Sequence, residues 1–172
     1  ARYPDEPELL RAQAILQIQA GDIDGARIAL FTLLADAYYV NECFWFLGQM
    51  ALNNGEFDQA IRYFGRVNAS ELLLSSMLAT SRAYVALGDA DTALRLQREF
   101  AAAYPKSAFD TFVAQAEILL LMDRYDDALQ VLNTASEYRP WDENIWMYRG
   151  GIMEGLGQLE ASVAAFRRAY VL

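Results

Sequence analysis

Histidine is absent from the 172 residues, and cysteine occurs once, at Cys43. Without histidine the chain lacks the commonest general base and the commonest neutral metal ligand, so Ser-His and Cys-His nucleophiles are excluded. A single cysteine can form neither an internal disulfide nor a thiolate metal site, and its aromatic neighbours indicate a buried small hydrophobe. The sequence therefore predicts no catalytic residue, no metal site and no cofactor.

Basic charge is also scarce. Lys106 is the only lysine, and 14 basic residues face 23 acidic ones, which gives a formal net charge of −9. A charge of that sign repels phosphate backbones, so nucleic acid is not expected as a partner. No apolar run approaches the roughly 18 to 20 residues that a membrane span needs. With 55% apolar and 22% charged residues, the composition is that of a folded globular domain.

One short pattern returns five times along the chain: Gly, any residue, a bulky apolar residue, an acid, any residue, and a small residue. Aspartate replaces the glycine in the fourth copy, and alanine is the apolar residue in the third. The copies begin at Gly21, Gly55, Gly88, Asp123 and Gly157. Their small residues are 34, 33, 35 and 34 positions apart, so five units of about 34 residues account for nearly the whole chain.

Each part of the pattern fits a turn between two helices. Glycine can adopt the left-handed conformation that ends one helix, and an acid three residues later lies where the next helix begins. The acidic pairs Asp126-Asp127 and Asp142-Glu143 are accordingly interpreted as helix starts rather than as metal ligands or acid catalysts. The next helices are expected to be capped by Asn41, Ser70, Ser107 and Asp142.

Apolar residues between the turns recur every three or four positions, which predicts ten helices and no strand. These units resemble the tetratricopeptide repeat (TPR), a 34-residue pair of antiparallel helices that stacks into a right-handed α-solenoid. The resemblance implies an all-α fold with one solenoid over residues 1–172. Its five repeats lie at about 7–40, 41–73, 74–108, 109–142 and 143–172.

Repeat positions are counted from residues 7, 41, 74, 109 and 143. The resemblance implies a small residue at positions 8 and 20 and a large apolar residue at position 24. The second repeat has Gly48, Ala60 and Phe64 there, and the fifth has Gly150, Ser162 and Phe166. The third repeat departs from this pattern, since position 24 is Gln97.

In this family the first helices of the repeats line a concave surface that binds a segment of another protein. The resemblance therefore implies a protein or peptide partner held at positions 2, 5, 9, 12 and 13. The candidate partner-binding residues are Arg11, Trp45, Gln49, Leu52, Asn53, Leu78, Arg82, Val113, Glu117 and Met147. The lysines and asparagines of the family's carboxylate clamp are missing, so apolar anchors are expected instead.

Two aromatic trios, Phe44-Trp45-Phe46 and Trp146-Met147-Tyr148, occupy equivalent places in repeats two and five. Helical spacing directs only one member of each trio to the core. Packing between repeats is the favoured interpretation of the others, and contact with a partner is the alternative.

The function expected from the family resemblance is a non-catalytic adaptor or scaffold. The run Phe46–Val67 also resembles segments of periplasmic or outer-membrane-anchored bacterial repeat proteins, and this resemblance implies the narrower form, a bacterial envelope complex. The alternatives are a holding chaperone of the secretion type and the non-catalytic portion of a larger enzyme. The bacterial cytoplasm or periplasm is the expected location. Since no polar capping helix follows Leu172, either the natural chain continues or this end forms a homodimer.

Overall fold

The computed structural model describes residues 6–171, and α-helices make up nearly all of them. The first five helices are α1 (Glu6–Ala20), α2 (Ile23–Ala35), α3 (Val40–Asn53), α4 (Phe57–Phe64) and α5 (Ser70–Ala86). The other five are α6 (Ala90–Ala103), α7 (Ala108–Leu121), α8 (Tyr125–Tyr138), α9 (Glu143–Gly155) and α10 (Leu159–Val171). A 3₁₀ turn, Pro105–Ser107, precedes α7, and the described residues contain no strand. The predicted all-α repeat fold of ten helices is confirmed for this part of the chain.

The helices form two compact units that divide between Leu87 and Gly88. The first unit contains α1 to α5, and the second contains α6 to α10. The predicted third repeat thus contributes one helix to each unit. The single solenoid over residues 1–172 stays a prediction, and each unit is described by itself below.

The five turns of the repeated pattern adopt the left-handed conformation that the sequence predicts. Gly21, Gly55, Gly88 and Gly157 have φ between 72° and 81°, and Asp123 has φ 55°. At the first turn Asp22 N donates to Gln17 O at 2.9 Å, a bond that closes the end of α1. The same geometry recurs without glycine after α2, where Ala37 has φ 58° and Tyr38 N donates to Leu33 O at 2.8 Å.

Two of the four predicted helix caps are wrong, because the side chains concerned have other partners. Asn41 lies inside α3, and its Oδ1 accepts hydrogen bonds from Asn68 N at 2.7 Å and Ala69 N at 3.1 Å. Ser70 is the first residue of α5 and makes no cap bond. Ser107 is in the cap position of α7 but likewise makes no side-chain cap bond.

Asp142 is the predicted cap that the structure confirms, since its side chain accepts from Asn144 N at 3.0 Å. Two caps that the sequence analysis missed directly follow turn glycines: Asp22 accepts from Gly25 N, and Asp89 accepts from Thr92 N, both at 3.0 Å. The hydrogen bonds from Thr92 hold the pKa of Asp89 below its ordinary value. The acids of the repeated pattern all lie in the first turn of the following helix, as predicted.

Small residues facing aromatic rings establish the repeat register in both units. In the first unit, a Cβ atom added to Gly48 would lie 2.6 Å from Cε1 of Phe64. In the second unit, the same addition at Gly150 would lie 2.5 Å from Cε1 of Phe166. These are positions 8 and 24 of the same repeat, so the predicted close approach of paired helices is confirmed.

Apolar clusters join neighbouring repeats within each unit. In the first unit α1, α2 and α3 meet in a cluster of Ala14, Ala26, Ala29, Leu30, Leu33, Cys43, Leu47 and Met50. A second cluster joins α3, α4 and α5 through Ala51, Ala60, Phe64 and Ala79. In the second unit, Phe109 of α7, Ala135 of α8 and Ile145 of α9 form a third cluster. Each cluster therefore buries the contact surface between consecutive repeats.

Candidate functional site

The first helices of the repeats in the first unit are joined side by side. The Arg11 guanidinium on α1 binds the Glu42 carboxylate on α3, with Nη2 2.6 Å from Oε1 and Nε in contact with Oε2. Trp45 and Leu52 on α3 pack against the cluster that contains Ala79 of α5. By repeat position, the side chains at positions 5, 9, 12 and 13 of these helices are expected to share one surface, here named the α1/α3/α5 face.

Arg11 is engaged within the protein rather than free for a partner. The carboxylate of Glu42 raises the pKa of Arg11 above its ordinary value, and the Arg11 guanidinium also lies 5.2 Å from the ring centre of Tyr39. Both charged side chains are more than 30% exposed, so the pair adds little to stability. Its main effect is that the charge of Arg11 is compensated by Glu42.

Apolar side chains occupy the middle of the α1/α3/α5 face. Trp45, Leu52 and Leu78 are all half-buried, so each leaves part of its surface open to solvent. The Trp45 ring packs edge-on against Phe46, with ring centres 5.2 Å apart. Its indole Nε1 is buried without a hydrogen-bond partner among the described residues. The structure supports the packing interpretation of this aromatic trio and still leaves part of Trp45 accessible.

Polar side chains surround this apolar centre. Gln49 is half-buried on α3, while Asn53 on α3 and Arg82 on α5 are exposed. An apolar centre with a polar, accessible rim is the usual composition of a protein interaction surface.

The predicted residues of the second unit lie on α7 and α9. Val113 is half-buried and packs against the cluster of Phe109, Ala135 and Ile145. Glu117 on α7 is exposed, and the Met147 side chain on α9 is 51% exposed. These three residues lie in the second compact unit and are treated separately from the α1/α3/α5 face.

Trp146, the aromatic residue beside Met147, is in contact with two arginines. The guanidinium carbons of Arg149 and Arg168 lie 5.1 and 5.0 Å from its ring centre. Cation–π contacts of this kind fix the orientation of the indole. The second trio thus also contributes to packing within its unit.

Cys43 is a poor nucleophile in this fold. Its side chain is 1% exposed, and burial together with the neighbouring Glu42 raises the pKa of the thiol to about 11. The predicted role as a buried small hydrophobe is confirmed. Among residues 6–171, no group of three or more potential metal-ligating side chains is placed to hold a metal ion.

The partner-binding role of these residues stays a prediction, and the sequence analysis missed the pairing of Arg11 with Glu42. A signal was present, because opposite charges occupy position 5 of one repeat and position 2 of the next.

None of the helices described between residues 6 and 171 is both long and apolar enough to cross a bilayer.

Comparison with solved structures finds the same fold in several structures of MamA. MamA from MSR-1 is 22% identical with a TM-score of 0.60, and the alignment covers 96% of this chain and 95% of that chain. Another crystal structure of MamA is 18% identical with a TM-score of 0.67, covering 97% and 91%. Residues 41 to the end of MamA from Desulfovibrio magneticus RS-1 are 23% identical with a TM-score of 0.58, covering 76% and 74%. At these identities the likeness concerns the fold alone.

The sequence comparisons agree with the repeat register. No curated protein sequence matches the chain. The tetratricopeptide repeat profile matches residues 47–108 and 113–172, which is more than half of the sequence. Together with the left-handed turns and the close approach of Gly48 to Phe64, this match shows that the chain belongs to the tetratricopeptide repeat family.

Proposed function

We propose that the chain is a non-catalytic scaffold that binds a peptide segment of a partner protein on the α1/α3/α5 face. Membership of a family of protein-interaction domains supports this function in general. The observation that carries the specific proposal is the half-buried apolar centre of Trp45, Leu52 and Leu78, bordered by exposed Asn53 and Arg82. Partly buried aromatic and arginine side chains are the residue types that dominate interface energies.

The charge arrangement of this face favours an apolar peptide over a carboxylate-terminated one. Arg11 is neutralised by Glu42, which leaves Arg82 as the exposed cation among the predicted residues. The partner is therefore held by apolar anchors, while Arg82 and Asn53 set the register of its backbone. We propose that this partner is a protein of the bacterial envelope.

The proposal is tested by capturing proteins from a native bacterial extract, including its envelope fraction, and identifying them by mass spectrometry. Two variants are compared with the unmodified chain: Trp45→Ala, and Asn53→Ala combined with Arg82→Ala. The second variant changes only exposed side chains, so it retains the fold even if loss of Trp45 loosens the packing. A matched control, Ile28→Ala combined with Arg62→Ala, changes exposed residues on the second helices α2 and α4.

We expect specific proteins to be captured by the unmodified chain and the control, and lost by both face variants. For a peptide derived from a captured protein, loss of one anchor should weaken binding by about 10-fold or more, measured by isothermal titration calorimetry. Equal capture by all four proteins would assign binding to another surface. Capture of one cargo only before it folds would instead indicate a chaperone.

A further inference from the structure

Trp146 and two arginines form a positively charged group in the second unit, here named the Trp146 cluster. Trp146 and Arg149 lie on α9, and Arg168 lies on α10. The guanidinium carbons of Arg149 and Arg168 are 5.1 and 5.0 Å from the ring centre, so both charges lie beside one indole. Trp146 and Arg149 are half-buried, whereas Arg168 is exposed. The cluster is therefore open to solvent at Arg168.

Neither arginine of the Trp146 cluster forms an ion pair with a carboxylate in the described part of the chain. Five other arginines do pair with acids there. They are Arg11, Arg27, Arg95, Arg124 and Arg139. Arg149 Nη2 instead donates to the neutral side-chain oxygen of Asn133 at 2.6 Å. Two positive charges beside one ring thus lack a compensating negative charge, although the whole chain has a net charge of −9.

Hydrogen-bond donors also outnumber acceptors around this ring. Trp146 Nε1 and Arg149 Nε are both buried, and neither has an acceptor among residues 6–171. Indole and guanidinium groups donate hydrogen bonds and accept none, while an ionised carboxylate only accepts them. Charge and hydrogen bonding therefore both favour an anionic oxygen ligand.

The second repeat shows what happens to the position of Arg168 when another repeat follows. Arg66 occupies the same position, 26, and its guanidinium carbon lies 5.8 Å from the ring centre of Phe44 at position 4. Although α5 follows, Arg66 is exposed and pairs with no carboxylate that the structure describes. Stacking of the next repeat thus does not supply the missing anion there. This repeat has only one cation beside the ring, because buried Leu47 takes the place of Arg149 at position 7.

We propose that the Trp146 cluster binds an acidic side chain of a partner protein, the carboxylate of an aspartate or a glutamate. Both guanidiniums attract this carboxylate, because they lie 5.1 and 5.0 Å from the ring centre and the screening length is roughly 8 Å at physiological ionic strength. Charge-assisted bonds between arginine and carboxylate are among the stronger hydrogen bonds in proteins. A singly charged carboxylate is favoured over a phosphate, since the net charge of −9 repels the phosphate more strongly.

This site is independent of the binding function proposed above. It lies in the second compact unit and contains no residue of the α1/α3/α5 face. Loss of either site therefore leaves the other intact, and the two proposals are tested with different variants.

Titration of the whole chain followed by ¹H–¹⁵N NMR at pH 7 and constant ionic strength tests the site. The probe is a blocked pentapeptide with glutamate at its centre and alanine at the other positions, and the reference peptide has glutamine instead. Inorganic phosphate is titrated separately. Each tryptophan gives one indole N–H signal, and replacing Trp45 and Trp141 by phenylalanine in turn identifies the signal of Trp146.

Two variants each remove one charge from the cluster: Arg149→Gln and Arg168→Gln. Because Arg168 is exposed, its replacement keeps the fold even if loss of the half-buried Arg149 loosens the packing of α9. The matched control is Arg66→Gln, which removes the same charge from the same repeat position beside a single ring. Circular dichroism checks that all three variants retain their helicity.

We expect the glutamate peptide to shift the Trp146 signal in a saturable way in the unmodified chain and in Arg66→Gln. Each cluster variant should bind this peptide about tenfold or more weakly, and the glutamine peptide should cause no saturable shift. Equal shifts with both peptides would overturn the proposal, as would unchanged binding by Arg168→Gln. A saturable shift with phosphate but none with the glutamate peptide would also overturn it.

Discussion

Single glycines decide how closely paired helices approach in this protein. Gly150 and Gly151 are neighbours on α9, but their surroundings differ. A Cβ atom at Gly150 would lie 2.5 Å from the Phe166 ring, whereas one at Gly151 would have its nearest neighbour, Leu120 Cδ1, at 4.0 Å. The same methyl group therefore clashes at one position and fits at the other.

We predict opposite effects of alanine at these two sites. Gly150→Ala should lower the free energy of unfolding by about 1–3 kcal/mol because the ring must shift. Gly151→Ala should raise it by about 0.5–1 kcal/mol, since alanine is the better helix former. Urea unfolding of both variants measures the difference. Equal effects would contradict the packing of α9 on α10.

The turn after α2 is strained in a way that the four turns with glycine are not. Ala37 closes the helix with φ 58°, and Tyr39 two residues later has φ 49°. A side chain in the left-handed region costs roughly 1–2 kcal/mol, and glycine avoids that cost. Ala37 therefore occupies a place where the other turns have glycine or, in one case, aspartate.

Ala37→Gly should stabilise the protein, and thermal unfolding monitored by circular dichroism tests this. Relief of the strain exceeds the extra entropy that glycine loses on folding, so the net gain should be about 0.5–1 kcal/mol. Ala164→Gly, at an exposed helical position within α10, is the control and should destabilise by about 1 kcal/mol. A lower melting temperature for Ala37→Gly would show that Ala37 makes a contact that outweighs its backbone strain.

Helices and turns were predictable from the sequence because each depends on residues close together in the chain. Four of the left-handed turns follow from glycine, and the helices follow from apolar periodicity. The Asn41 cap was wrong because its partners, the amides of Asn68 and Ala69, are 27 and 28 residues away. The candidate site shows the same limit, since the faces follow from repeat positions, but the pairing of Arg11 with Glu42 depends on how two repeats meet.

For the molecule as a whole, net charge is the property that governs encounters with other macromolecules. The formal charge is −9 and the isoelectric point is about 4.5. At neutral pH the long-range field repels phosphate, and this repulsion precedes any local contact.

We predict that fluorescence anisotropy of a labelled single-stranded RNA or duplex DNA will not change when the protein is added at near-physiological salt. Lowering the salt should not produce binding, because reduced screening strengthens repulsion between like charges. A basic nucleic-acid-binding domain is the positive control. An increase in anisotropy that disappears with added salt would reveal a cationic patch that net charge conceals.

The placement of the three tryptophans has an optical consequence. Trp45 is half-buried in the first compact unit, Trp146 is half-buried in contact with two arginines in the second, and Trp141 is 71% exposed. Indole emission shifts to longer wavelength as water reaches the ring. With Trp141 and one of the other two tryptophans replaced by phenylalanine, the remaining indole reports on the unit that contains it. The unfolding of each unit can then be followed in its own variant without an added label.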